Sequence, residues 1–162
     1  MYNLHIINYN DFTADELCHY LEERHYPQIL NDFMMIEKYI DQLVCSEDDE
    51  SSTLIHAIFH KLETEVKQLF TKDKILLFPY IINHQESSIS LQPINQLHQR
   101  ILGLLQRMRG LLNNYVQQPE WSSNRKICSN ELYALEQSIQ RVLYIKENYL
   151  WTKIDKVVSH EY

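Results

Sequence analysis

The sequence predicts an all-α protein: one domain, residues 1–162, folded as an antiparallel up-down four-helix bundle. Only two glycines and four prolines occur among the 162 residues, whereas β-sandwiches and α/β folds need many turn residues. Four long segments place apolar residues every three to four positions, which is the period of one face of an α-helix. The connections between these segments are about ten residues long, which favours antiparallel neighbours.

The first predicted helix extends from Ala14 to Val44. Thr13 and Glu16 form a capping-box pattern at its start. Pro27 lies inside the segment, so we expect a kink there, or a division into a short helix and a long one. The predicted apolar face contains Leu21, His25, Ile29, Phe33, Ile36, Ile40 and Leu43.

The second predicted helix follows an acidic loop and extends from Thr53 to Asn83. Asp73 lies on its apolar face, where a carboxylate is costly unless it is paired, hydrogen-bonded or bound to a metal. Pro79 cannot donate a backbone hydrogen bond, so we expect the regular helix to stop there. The predicted face contains Ile55, Phe59, Leu62, Val66, Leu69, Asp73, Leu76 and Tyr80.

Two more helices are predicted after a polar loop at residues 83–90. The third helix spans Pro93–Val116, and proline suits its first turn. Its predicted face contains Ile94, His98, Ile101, Leu105, Met108, Leu112 and Tyr115. The fourth helix spans Ser129–Val157, with Glu147 on the same face as the apolar residues. Those residues are Leu132, Leu135, Ile139, Leu143, Leu150 and Ile154.

Each predicted helix has one metal-capable side chain on its apolar face. These residues are His25, Asp73, His98 and Glu147. Helical bundles build metal sites from facing carboxylates and histidines, and such ligands suit iron, manganese or zinc. The four residues are therefore candidate metal ligands. The alternative is a polar core network without metal, in which the two acids pair with the histidines or with Tyr80.

Several short motifs follow one another in a characteristic order. They are HYP (25–27), LFTKDKILLFP (69–79), PI (93–94), LH (97–98), LNNY (112–115) and ENYLW (147–151). In order and spacing they resemble the landmarks of hemerythrin-like domains, especially those of the iron–sulfur cluster repair proteins. The resemblance covers about residues 14–155.

The resemblance implies two iron ions bridged by Asp73 and Glu147, with His25 and His98 among the terminal ligands. At two other histidine positions of that family this chain has Leu69 and Leu143. A further histidine position falls near a cysteine, and an aspartate replaces one bridging glutamate. We therefore expect a degenerate centre that binds iron weakly or not at all, in a bacterial stress or iron-homeostasis setting.

Composition limits the other functions. The net charge of −7 disfavours binding to nucleic acid or to anionic membranes. The widely spaced Cys18, Cys45 and Cys128, together with an N-terminus unlike a signal peptide, indicate a cytoplasmic protein. A metal-free interaction module, with a protein partner or as a homodimer, is the alternative function. An oxidoreductase or iron donor with rearranged ligands also stays open, although enzymatic activity is not our first expectation.

A second histidine pattern lies off the apolar face. His56 and His60 are four residues apart on the second predicted helix, a spacing that can bind zinc. The sequence shows no third histidine beside them, so we interpret the pair as part of a solvated helix edge.

Overall fold

The computed structural model describes residues 7–83 and 89–154, and the backbone of residues 157–158. The described part is all-α, a helical bundle, apart from one short parallel strand pair. The helices are α1 (Ala14–Tyr20), α2 (Tyr26–Ser46), α3 (Glu50–Lys72), α4 (Phe78–Ile82), α5 (Gln92–Leu111) and α6 (Ser123–Ile145). The strands β1 (Ile89–Ser90) and β2 (Val157–Val158) pair in parallel. No helix among the described residues has the length and apolar character needed to cross a membrane.

Polar side chains start three of these helices. Thr13 and Glu16 form the predicted capping box at α1. Asp49 accepts a hydrogen bond from the backbone of Ser52 at the start of α3, and Ser122 caps α6 in the same way. The fourth helix therefore begins at Ser123, six residues before its predicted start.

Within the described residues, three π-helical turns interrupt the helical segments. They are Leu21–His25, Asp73–Leu77 and Lys146–Leu150, and each follows directly on an α-helix. In each one, the closing backbone hydrogen bond joins residues five apart instead of four. A π turn therefore inserts one residue and rotates the following side chains relative to the α-helical pattern.

Pro27 and Pro79 each lie two residues after a π turn. A proline inside an α-helix lacks an N–H and collides with the carbonyl four residues earlier. Here that carbonyl belongs to the widened turn, so the chain continues into α2 and α4. The first segment is divided into a short and a long helix, as predicted. The predicted stop at Pro79 is wrong, because α4 extends to Ile82.

The apolar faces form one core, with α2 packed on α3 and α6, and α3 packed on α5. The predicted face of α5 is buried from Ile94 to Leu112. The prediction fails within the second π turn, where Leu76 is 53% exposed and Leu77 is buried instead. The inserted residue explains this exchange, because it shifts the buried position by one.

Two predicted ends also differ. The helix expected to reach Val116 ends at Leu111, and Asn113–Tyr115 form a tight turn with positive φ angles. The helix expected to reach Val157 ends in a short 3-10 turn at Lys153. Part of the predicted polar loop, residues 84–88, lies outside the described residues.

A buried arginine secures the end of the bundle where α2 connects to α3. The guanidinium of Arg125, at the start of α6, donates to Glu47 Oε2 at 2.7 Å and to Ser52 Oγ at 2.8 Å. It also lies 3.3 Å from Asp49 Oδ2. Because only 8% of the arginine side chain is exposed, these charge-assisted bonds are shielded from water.

Candidate functional site

A fully buried ion pair lies in the bundle core. Lys146 Nζ donates to Asp73 Oδ2 at 2.6 Å, and both side chains are completely inaccessible to solvent. Each residue is the first of a π turn, Asp73 after α3 and Lys146 after α6. Burial lowers the pKa of the lysine, whereas the adjacent carboxylate raises it. The contact with Asp73 therefore favours the charged form of the lysine against the effect of burial.

A tyrosine from α2 donates a second hydrogen bond to this carboxylate. The Tyr26 hydroxyl donates to Asp73 Oδ2 at 2.5 Å. Its ring stacks on Phe70, with centroids 3.7 Å apart, and this packing holds the hydroxyl in place. Burial and the nearby carboxylate raise the pKa of Tyr26 well above its usual value, so the phenol keeps its proton. Asp73 Oδ1 is buried and has no hydrogen-bond partner among the described residues.

His98 extends the cluster from α5. Its Nε2 lies 3.0 Å from Lys146 Nζ, and its Nδ1 lies 3.1 Å from Glu147 Oε1. Burial, together with the lysine, lowers the pKa of His98 to about 2. The imidazole is therefore neutral. An ammonium can only donate, so Nε2 accepts from the lysine, and Nδ1 carries the proton and donates to Glu147.

Glu147 does not lie on the buried face, so the predicted burial of this residue is wrong. Its side chain is 41% exposed, and the preceding residue, Lys146, points into the core. Both residues fit a helical spacing between Leu143 and Leu150, and the π turn decides which one is buried. Partial burial raises the pKa of Glu147, and the lysine opposes that shift.

His25 is half-buried and forms no hydrogen bond with the other candidate ligands. Its ring meets Tyr20 edge to face at a centroid distance of 5.0 Å, and its buried Nε2 has no hydrogen-bond partner in the described part of the chain. Burial, with a smaller contribution from Arg141, lowers the pKa of the imidazole. The next residue, Tyr26, takes the core position that periodicity assigned to His25.

Comparisons with protein-family models and with curated sequences identify no relative of this chain. No protein-family model matches the chain, and no curated protein sequence matches it significantly. Its chemistry therefore has to be inferred from the geometry.

The central residues do not fit an iron centre while Lys146 occupies its position. The ammonium lies between Asp73 and His98, where a shared metal ion would sit, and it engages Asp73 Oδ2 and His98 Nε2, which leaves Asp73 Oδ1 without a described partner. His98 and Glu147 are hydrogen-bonded to each other, and His25 bonds to none of these groups. Where side chains are described, one group of three potential ligands has its ligand atoms within 4.8 Å of one another, and it contains none of the four predicted ligands.

The cluster can instead move or hold protons along a continuous chain of contacts. The chain begins at the Tyr26 hydroxyl, passes through Asp73, Lys146 and His98, and reaches the partly exposed Glu147. The sequence pattern did not identify two of its members, Tyr26 and Lys146, as site residues. The available signal was the spacing of Lys146, three residues after one core leucine and four before another.

Proposed function

We propose that this chain is a hemerythrin-like bundle with a degenerate metal centre, and that it acts as a metal-free helical interaction module. The observation that carries the proposal is the position of Lys146. Its ammonium lies 2.6 Å from Asp73 Oδ2 and 3.0 Å from His98 Nε2, so a side chain supplies the positive charge that a metal would supply.

The apolar replacements support the same interpretation. Leu69 and Leu143 stand where the resemblance places histidine ligands, and both are buried, with 1% and 4% exposure. A buried leucine at such a position contributes packing and leaves no polar atom that needs a partner. Two imidazole ligands of the family's site are thus missing, and the charge of Asp73 is neutralised by Lys146 within the protein.

The proposal includes the arrangement of the helices. We infer that the four helical segments run up, down, up and down. The short connection between α2 and α3, residues 47–49, favours antiparallel neighbours. The packing of α2 on α3 and α6, and of α3 on α5, is compatible with this order.

The proposed role needs a protein partner or a second copy of the chain. Met34 is 65% exposed, and Ile75 and Leu76 are 66% and 53% exposed, so the chain presents large apolar side chains to solvent. Association would remove these side chains from water. The net charge of −7 makes nucleic acid and anionic membranes poor partners. A cytoplasmic location and a link to iron–sulfur cluster repair or stress response belong to the proposal through the resemblance.

The decisive experiment measures iron at the central cluster. The purified protein is stripped of metal, and its melting temperature is recorded under anaerobic conditions with and without Fe(II). We expect the metal-free protein to be folded and its Tm to be unchanged by iron, because the carboxylate is already neutralised.

A specific result would overturn the proposal. Stoichiometric iron, with a rise in Tm that the Asp73→Ala, Glu147→Ala double variant abolishes, would establish a functional metal centre. Sedimentation velocity on the same samples tests the interaction role, and we expect self-association that substituting Leu76→Glu weakens. A strict monomer would leave only an unrelated protein as the partner, to be sought by binding assays.

A further inference from the structure

The two histidines off the apolar face lie side by side on α3. His56 and His60 are one helical turn apart, and their ring centroids are 4.4 Å apart with the planes at 62°. Residues four apart in a helix share one side, so the two imidazoles face the same neighbouring surface. Such a pair can supply two ligands to one metal ion.

The neighbouring helix supplies a third potential ligand. Asp41 of α2 faces the pair, and its Oδ1 lies 3.7 Å from His56 Nε2. The ligand atoms of Asp41, His56 and His60 all lie within 4.8 Å of one another. Sequence spacing could not reveal this residue, because the contact depends on α2 and α3 packing against each other.

The separations are close to those of a bound ion. Ligands about 2.0 Å from a tetrahedral zinc ion lie about 3.3 Å from one another. The 3.7 Å between His56 Nε2 and Asp41 Oδ1 has to close by about 0.4 Å, and the other pairs, all within 4.8 Å, by at most about 1.5 Å, which χ rotations provide. Exposure allows that movement, since the side chains of His56 and Asp41 are 40% and 59% exposed.

No described cation occupies this group, whereas the Lys146 ammonium occupies the central cluster. No described lysine or arginine forms an ion pair with Asp41, and its 3.7 Å distance to His56 Nε2 is longer than a hydrogen bond. The ring nitrogens of His60 form no hydrogen bond with another described residue. The ligand lone pairs are therefore available to an ion arriving from solvent.

The ligand types select the class of metal. Magnesium and calcium prefer oxygen ligands, whereas imidazoles favour zinc and its first-row neighbours. Two imidazoles and one carboxylate form the three-ligand set typical of zinc sites that keep one position for water. The net charge of −7 favours the approach of a cation.

We propose that Asp41, His56 and His60 form a surface zinc site that links α2 to α3. Water, or a ligand from a bound partner, completes the coordination. The site is separate from the central cluster and does not depend on the function proposed above.

Zinc binding to the full chain tests the proposal. Metal-free protein is titrated with Zn²⁺ against a chromogenic chelator, and the melting temperature is measured with Zn²⁺ or Mg²⁺. We expect one zinc ion per chain and a Tm that rises with zinc and not with magnesium. The variants His60→Ala and Asp41→Asn should each weaken binding about tenfold or more.

Two control variants locate the ion. His19→Ala removes an exposed histidine from α1 and should bind zinc as the unaltered chain does, whereas Asp73→Asn tests whether the ion lies in the central cluster instead. The inference is overturned if the chain takes up no zinc at micromolar concentration, or if His60→Ala binds zinc normally. Loss of binding in Asp73→Asn alone would place the ion in the core and contradict the metal-free proposal as well.

Discussion

Replacing Lys146 by methionine tests the buried ion pair directly. The substitution keeps a long side chain but leaves the fully buried Asp73 carboxylate with the Tyr26 hydroxyl as its one remaining described donor. An uncompensated buried charge costs about 3–5 kcal/mol. For a domain of this size each kcal/mol lowers Tm by about 2–4 °C, so we expect a decrease of roughly 6–20 °C.

A second substitution separates lost charge pairing from lost packing. Asp73→Asn, added to Lys146→Met, removes the unpaired charge and keeps an acceptor for the tyrosine. We expect the double variant to recover most of the lost stability, with a coupling free energy above about 2 kcal/mol. The matched control is Lys74→Met, an exposed lysine one residue after Asp73, which should change stability by less than about 0.5 kcal/mol.

Urea denaturation at pH 7, followed by circular dichroism at 222 nm, measures five proteins: the unaltered chain, Lys146→Met, Asp73→Asn, the double variant and Lys74→Met. The reasoning fails if Lys146→Met is no less stable than Lys74→Met. It also fails if the effects of the Lys146 and Asp73 substitutions simply add, because two residues in direct contact must then contribute independently.

Three further predictions concern other groups. The pKa of His98 is lowered to about 2, so the unfolded chain takes up a proton that the native chain does not. Stability should fall as the pH drops below about 6.5, by up to about 1.4 kcal/mol per pH unit from this residue, and His98→Gln should reduce that slope in Tm measurements. Arg125→Met should cost about 2–4 kcal/mol in urea denaturation, because it leaves buried acceptors and a largely buried carboxylate unpaired. Arg125→Lys should restore only part of this lost stability. Full recovery would show that the several hydrogen bonds of the planar guanidinium are unimportant. Burial raises the pKa of Cys18 to about 12 and that of Cys128 to about 11, so a thiol reagent at pH 8 should label only the exposed Cys45 quickly. Rapid labelling that persists in Cys45→Ser would contradict this.

Helical periodicity predicted the long faces well, because these faces are buried against neighbouring helices. Ile29, Phe33 and Ile40 lie in the core as expected, and so does His98. Periodicity failed where the helical repeat itself changes. A π turn inserts a residue without any distinctive sequence pattern, so Leu76 was assigned to the core in place of its neighbour.

The candidate site was predicted in part for the same reason. Asp73 and His98 are buried as expected. Asp73 is the first residue of its π turn, so the regular repeat holds up to that position, and α5, which carries His98, contains no π turn. Glu147 was assigned to the buried face because it lies between Leu143 and Leu150, but that spacing fits Lys146 equally well. Asp41 could not be found from one helix alone, since its contact with His56 is a tertiary one.

The covalent attachment of the Lys146 ammonium has a consequence for how the bundle responds to its surroundings. A tethered cation cannot dissociate on dilution, cannot be extracted by a chelator and has no second oxidation state. The neutralisation of Asp73 is therefore completed by folding itself, and neither metal supply nor oxygen tension enters that step.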